Sequence, residues 1–327
     1  MLWLIAILIV GVVLVFWLGA TTSYDRDLKH TQLTAALPSF NERGTAQLVR
    51  IIVDGREFRA RISGFDHPAP KGDLILLHGF PETSAMWSPL LEAAGAAGYR
   101  SVAFDQRGYS PGARPAAVSE YVVGNLGQDV LDVADAVGFK DFHLVGHDWG
   151  SGVGWHLVTA RPQRLKSWTS LSIPHIAAFG AAISEDPDQR RKSSYMLLFR
   201  TPVVAEWLFA FNRFALMRKA MYNDHTQAQR DEYLQVMAEP GALTAALNWY
   251  RAPMSLQPDE QVSPDVDLPV LFIWGKNDPA VGSWAVEAQR QYMKGPFTEI
   301  ELDTGHWIME TTPETAVAAI VRHLDSI

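Results

Sequence analysis

The chain has 327 residues, 48% hydrophobic, 11% aromatic and 20% charged, with a net charge of −8 and no cysteine. That composition belongs to a globular protein with a filled core, and the length suits one large domain with an insertion or two domains sharing an interface. The longest basic run is Arg190-Arg191-Lys192, so no nucleic-acid partner is expected, and disulfides, thiolate metal sites and cysteine nucleophiles are excluded.

Residues 1–20, MLWLIAILIVGVVLVFWLGA, contain no charged side chain. As a helix at about 1.5 Å per residue they would span roughly 30 Å, one hydrocarbon core. A cleaved signal peptide fits less well: there is no basic n-region, the apolar run exceeds the usual ~7–15 residues, and Leu18-Gly19-Ala20 is a poor cleavage site. A buried helix normally keeps a polar stripe, and none is visible. The expectation is a single-pass N-terminal membrane anchor over 1–20 with a tether over 21–45. Arg26 and Lys29 follow the span and no basic residue precedes it, which leans toward the main domain facing the cytoplasm.

From residue 46 short β-rich runs alternate with longer helical stretches, the pattern of a parallel sheet covered on both faces. Strands are expected near 47–53, 56–63, 73–78, 100–105, 142–147 and 165–172, with helices near 85–98, 118–138 and 149–161. Residues 175–262 hold only helical patterns rich in aromatics and methionine, broken at Pro187, Pro202 and EPGA (239–242). Strand signals return at LPVLFIWG (268–275) and FTEIEL (297–302), and a helix near 313–325 ends the chain. A sheet interrupted and then resumed implies a core over 46–174 and 263–327 carrying a helical cap over 175–262.

The segment LVGHDWGSG (144–152) is a strand, a tight turn and the start of a helix, with Asp148 at the apex of a G-x-D-x-G frame. This is the strand–elbow–helix setting of the G-x-S-x-G nucleophile motif, with an acid in place of the serine. The bland alternative is that Asp148 caps the following helix. Partners in the expected places favour the first reading. LILLHGFPE (74–82) closes the third strand at a sharp turn, where the N–H of Phe80, with that of Trp149, would form an oxyanion hole. Pro81 has no N–H to offer. WGKNDPAV (274–281) puts Asp278 just after the seventh strand, and LDTGHWIME (302–310) puts His306 after the eighth. The order nucleophile, acid, histidine is the one this motif's fold uses. Asp278 is also explicable as a turn residue in N-D-P. Of ten histidines only His306 is assigned to catalysis; His147 is expected to orient the elbow and His78 to brace the loop.

Together HGFPE, DQRGYS (105–110), GHDWG, GKND and GHW resemble the α/β-hydrolase superfamily, specifically its epoxide hydrolase branch, over roughly residues 45–327. The resemblance implies a mostly parallel eight-stranded sheet with helices on both faces and an inserted helical cap. A carboxylate is a poor nucleophile at an acyl carbon but can displace a leaving group at a saturated one, giving an alkyl ester on the enzyme. Water, deprotonated by His306 with Asp278 orienting the imidazole, would then attack the ester carbonyl of Asp148, completing an Asp-His-Asp triad. An epoxide opens to a basic alkoxide and wants a proton donor, to which a phenol of pKa near ~10 is suited. In epoxide hydrolases two cap tyrosines serve this purpose. SSYMLLF (193–199) and LNWYRAP (247–253) resemble the segments that bear them, which implies Tyr195 and Tyr250, with Tyr222 and Tyr233 as alternatives to Tyr195.

Other readings keep the fold and change the chemistry. A haloalkane-type dehalogenase would use the same aspartate, but typically carries Asn where Phe80 stands; fluoroacetate dehalogenases carry Arg where Trp149 stands. An esterase and a non-catalytic ligand-binding protein are the remaining options. No cofactor or metal site is expected, and RGYSPG (107–112) lacks the G-x-G-x-x-G spacing of a phosphate cradle. The expected partners are a small lipophilic epoxide, water and the membrane, with no protein partner inferred. Trp207, Phe209, Phe211, Phe214, Met217, Met237 and Trp249 suit either an apolar tunnel or the cap's own core.

Overall fold

The computed structural model describes residues 46–252 and 262–327. The strands are β1 (Gln47–Val53), β2 (Arg56–Ser63), β3 (Gly72–Leu77), β4 (Tyr99–Phe104), β5 (Phe142–His147), β6 (Leu165–Leu171), β7 (Val270–Gly275) and β8 (Phe297–Leu302). They form one sheet in the order β1-β2-β4-β3-β5-β6-β7-β8. β1 and β2 are an antiparallel hairpin, β2 pairs β4 antiparallel, and every other pair is parallel. The hairpin turns on Asp54 and Gly55, both at positive φ (48° and 74°), as the twist of a two-residue loop requires. The central strands are apolar runs buried along their length because helices cover both faces. At the edge, β8 alternates between half-buried and exposed positions.

The helices outside the insertion are α1 (Ser88–Ala96), α2 (Val123–Ala136) and α3 (Trp149–Ala160). Six more lie between β6 and β7: α4 (Ile176–Glu185), α5 (Pro187–Lys192), α6 (Tyr195–Phe199), α7 (Val204–Ala220), α8 (Gln227–Met237) and α9 (Ala242–Arg251). α10 (Ser283–Ala288), α11 (Ile308–Thr311) and α12 (Pro313–Asp325) follow. The expected breaks act as their residue types dictate. Pro187 is at the first position of α5, Pro202 lies between α6 and α7, and Gly241 is left-handed at φ 77° where α9 begins. A further break was not expected: α7 is interrupted at residues 211–214, with Asn212, Arg213 and Phe214 at positive φ.

The insertion is tied to the sheet by a buried ion cluster. Arg59 of β2 donates from Nε to Asp105 at 2.5 Å and from Nη1 to Glu239 at 3.2 Å, and Arg114 also pairs with Glu239. The RGYSPG loop is held by Arg107, which meets both Asp129 oxygens at 2.7 Å. Of the seven insertion aromatics and methionines, Phe209, Phe214, Met217, Met237 and Trp249 are buried in its packing, whereas Phe211 is exposed.

The single-pass N-terminal anchor is corrected here. Residues 1–20 and the tether over 21–45 lie outside the described residues, and so does 253–261 at the end of the expected cap. Among the described residues no helix is long and apolar enough to cross a membrane. The physical reason is visible in α7, the longest at 17 residues, which carries Glu206, Arg213, Arg218 and Lys219 and is broken midway. The membrane localisation, its cytoplasmic orientation and the membrane as a partner are therefore set aside.

Candidate active site

In an open α/β sheet, ligands gather where the strand order reverses, because neighbouring loops leave in opposite directions there. That point lies between β3 and β5, whose following loops carry Phe80 and Asp148. β7 and β8 bring Asp278 and His306 to the same rim.

Asp148 sits at φ 51°, ψ −120°, a conformation that non-glycine residues rarely adopt. The elbow is possible only because its neighbours lack a Cβ. One on Gly150 would lie 2.1 Å from the Leu77 carbonyl oxygen, and one on Gly146 would lie 2.6 Å from that of Gly150. Farther along α3, Gly154 lies flat against Trp168, where a Cβ would come within 2.0 Å of the indole. The carboxylate makes no capping bond to the helix that Asp148 precedes, so the helix-cap reading fails.

The Asp148 carboxylate is instead held by two groups. Phe80 N–H donates to Oδ1 at 2.8 Å, and His306 Nε2 stands 3.5 Å from Oδ2. Gly79 makes the first contact possible, since a Cβ there would lie 2.3 Å from the Asp148 Cβ. The Phe80–Pro81 peptide bond is cis. Trp149 follows Asp148 as the first residue of α3, where an N–H has no intrahelical partner, but it makes no bond to the carboxylate.

His306 Nδ1 meets Asp278 Oδ2 at 2.8 Å, while Asp278 Oδ1 accepts the N–H groups of Ala280 at 2.7 Å and Val281 at 3.1 Å. Asp278 is wholly buried, whereas His306 and Asp148 keep 6% and 8% of their surface exposed. Burial opposes charge on His306, but the carboxylates of Asp278 and Asp148 outweigh it and hold the imidazole well above its usual pKa. Burial likewise opposes charge on Asp148, and its hydrogen bond to His306 overcomes that, leaving it below the usual carboxylate range. The resting pair is His306 cation and Asp148 anion.

Tyr250 stands edge-on to Phe80 and Trp149, with ring centroids 5.5 and 5.0 Å away, and Tyr195 stands edge-on to Tyr250 at 6.4 Å. Burial, followed by the charge of Asp148, raises both phenols above the usual tyrosine range. Both therefore carry their protons at any working pH. Tyr222 and Tyr233 are committed elsewhere: the first donates to the Pro81 carbonyl at 2.7 Å, the second to Glu310 at 2.9 Å. Phe199 and Phe209 complete an apolar wall, 5.4 and 6.4 Å from the Phe80 ring.

His78 and His147 support the loops, as expected. His78 Nε2 accepts the N–H of Gln106 at 3.0 Å, which leaves the proton on Nδ1 facing the Gly79 carbonyl at 2.9 Å. His147 lies between the His306 carbonyl (Nε2, 3.0 Å) and Glu82 (Nδ1, 2.8 Å). Burial, then the His306 charge, lowers His147 to about 4, and burial raises Glu82 to about 8. Glu82 thus carries the proton and donates it to a neutral His147, whose other N–H holds the His306 backbone. The sequence reading missed Glu82 and Glu310, although both sit at the edges of its motifs. Glu82, His225 and Glu310 bring one ligand atom each within 4.8 Å of one another, the only such group among the described residues. Burial, then Glu82, raises Glu310 well above the carboxylate range as well. Two protonated carboxyls offer a divalent cation no net charge, so this set fits protons better than a metal.

A profile of the alpha/beta hydrolase fold family matches residues 74–313. The chain is 32% identical over 257 residues to the AB hydrolase superfamily protein YfhM of Bacillus subtilis (strain 168), which covers 77% of this chain and 89% of that one. It is 30% identical over 283 residues to Epoxide hydrolase 4 of Homo sapiens, covering 83% and 76%. Among solved structures, one described as novel epoxide hydrolases from metagenomes of hot environments superposes with a TM-score of 0.73 at 28% identity, covering 85% of this chain and 98% of that one.

Proposed function

Because this chain belongs to the α/β-hydrolase superfamily, in its epoxide hydrolase branch, we propose that it converts a small lipophilic epoxide to a vicinal diol through a covalent ester on Asp148. The observation that carries the reading is the Asp148 carboxylate lying between the Phe80 N–H and His306, with the Tyr250 ring against both neighbours of that carboxylate. Oδ1 is engaged by Phe80, so Oδ2 is the attacking oxygen.

In the first half-reaction Oδ2 bonds to a saturated epoxide carbon as the C–O bond breaks, and the departing oxygen takes a proton from Tyr250 or Tyr195. The negative charge that raised the phenols disappears into the ester in the same step, which eases formation of a tyrosinate. In the second, ester formation has removed one of the two carboxylates that kept His306 protonated, so the imidazolium gives its proton to the tyrosinate and the neutral imidazole can then take one from water. Hydroxide adds to the Asp148 carbonyl carbon, and the oxyanion forms on Oδ1, which already accepts the Phe80 N–H, with the N–H of Trp149 at the start of α3 as the second donor. Collapse releases the diol with the hydroxide's proton on its departing oxygen, and the proton taken from water stays on His306, restoring the resting pair. The wall of Phe80, Phe199 and Phe209 favours an apolar substituent.

The test is product analysis with styrene oxide and, separately, with a bromoalkane. The account expects diol from the first and no halide from the second. Halide release without diol formation would make the protein a dehalogenase.

A further inference from the structure

The loop bearing Asp278 is gripped from the insertion by two residues of α5. Gln189, which has no solvent exposure, donates from Nε2 to the Ala280 carbonyl at 2.7 Å and accepts the Gly282 N–H on Oε1 at 2.7 Å. The same amide donates its second hydrogen to Ser193 Oγ at 2.9 Å. A glutamine has two donor hydrogens and an oxygen with two lone pairs, and here both hydrogens and one lone pair are used, by the Asp278 loop and by Ser193. Lys192 donates its ammonium to the carbonyls of Asp278 and Val281, the latter at 3.0 Å. Ser193 follows directly, and two residues later Tyr195 opens α6. One short helix thus touches the backbone that aims the Asp278 carboxylate and sets where the Tyr195 phenol begins.

We propose that Gln189 and Lys192 are positioning residues that fix the spacing between the ring-opening phenol of Tyr195 and the His306–Asp278 pair. The proposal rests on the reaction assigned above. Among the described residues the Lys192 ammonium hydrogen-bonds only to the Asp278 loop, so it acts on the ester-hydrolysis step. Gln189 also holds Ser193, two residues before Tyr195, so it acts on both steps. The donors and acceptors must be of these types: a carboxylate at 189 keeps the contact to Gly282 but cannot donate to Ala280 or Ser193.

The experiment uses the full chain, with single-turnover mixing against styrene oxide and quenched-flow mass spectrometry to follow ester formation and breakdown from pH 5 to 9. Lys192→Met keeps the apolar stem and removes the ammonium, while Lys192→Arg keeps a donor. Lys192→Met is expected to slow ester breakdown about 10-fold with ring opening unchanged within about 2-fold. A less firmly aimed Asp278 supports the imidazolium less, so the midpoint of the breakdown pH profile moves to lower pH. Lys192→Arg restores both values, and Gln189→Glu slows both steps. Unaltered rate constants and pH midpoint in Lys192→Met, or losses that merely track a fall in folded fraction, would overturn the proposal. If the wild-type chain forms no ester, the reaction itself is wrong; if it forms and hydrolyses one while the variants match it, only the positioning role fails.

Discussion

Asp148, His306 and Asp278 are at once the residues the sequence identified and the ones the structure brings together, because each follows a strand that is plain to read. The phenols are a different case. Tyr250 and Tyr195 were placed only through resemblance, since nothing in composition separates a proton donor from a packed ring. Their raised pKa values separate two effects in the proposed mechanism: ring opening depends on the phenols, ester breakdown on His306. Tyr250→Phe should therefore slow ester formation about 10- to 100-fold, Tyr195 supplying the remaining proton, while leaving ester breakdown within about 2-fold. Single-turnover rates for the two steps check this, and equal losses in both would remove Tyr250 from the role. Glu82 and Glu310 escaped notice because a lone glutamate in a motif does not announce burial; only the fold shows that they face one another.

At the scale of elements, the close approaches around the elbow make sharp demands. A Cβ on Gly79 would collide with the Asp148 side chain, and the flexible part of that contact is the very group whose position matters. Gly79→Ala should fold but lose Phe80 N–H from Oδ1, cutting ester breakdown by about 10²-fold or more. Wild-type turnover by a folded Gly79→Ala protein would contradict it. Gly154→Ala, pressed against the Trp168 ring far from the chemistry, should instead cost about 1–3 kcal/mol in urea unfolding with little change in rate constants. Strand positions were legible to within two residues because parallel strands buried on both faces read as unbroken apolar runs. The interruption of α7 at 211–214 was not, since FNRF contains neither Pro nor Gly. Gln189 and Lys192 gave no signal either: their partners lie about 90 residues away, across the insertion.

For the whole molecule, the buried titratable groups set a pH window. Burial, with lesser electrostatic contributions, holds His78, His143, His147, His175 and His225 to about 4. Unfolded, these side chains take up protons near pH 6.5, so the unfolded state binds more protons between 6.5 and 4 and stability drops there as the pH is lowered. Glu82 works in the opposite sense: it keeps its proton to about 8 when folded against 4.5 unfolded, so its contribution declines as pH rises across that range. Glu310 and His306, both raised, also lose their contributions on the alkaline side. Below pH 6.5 the five histidines outweigh the two glutamates; above it only the declining contributions remain. The thermal midpoint should peak at about pH 6 to 7 and drop more steeply on the acid side. A midpoint rising steadily from pH 5 to 9 would contradict that balance. The central claim, a covalent ester on Asp148, is tested most directly by the intact mass of His306→Gln after incubation with an excess of styrene oxide. The account predicts a stable adduct of one substrate mass, mapped by peptide sequencing to Asp148 and absent from Asp148→Asn. Diol formation by His306→Gln at the wild-type rate, with no adduct at any time, would contradict it.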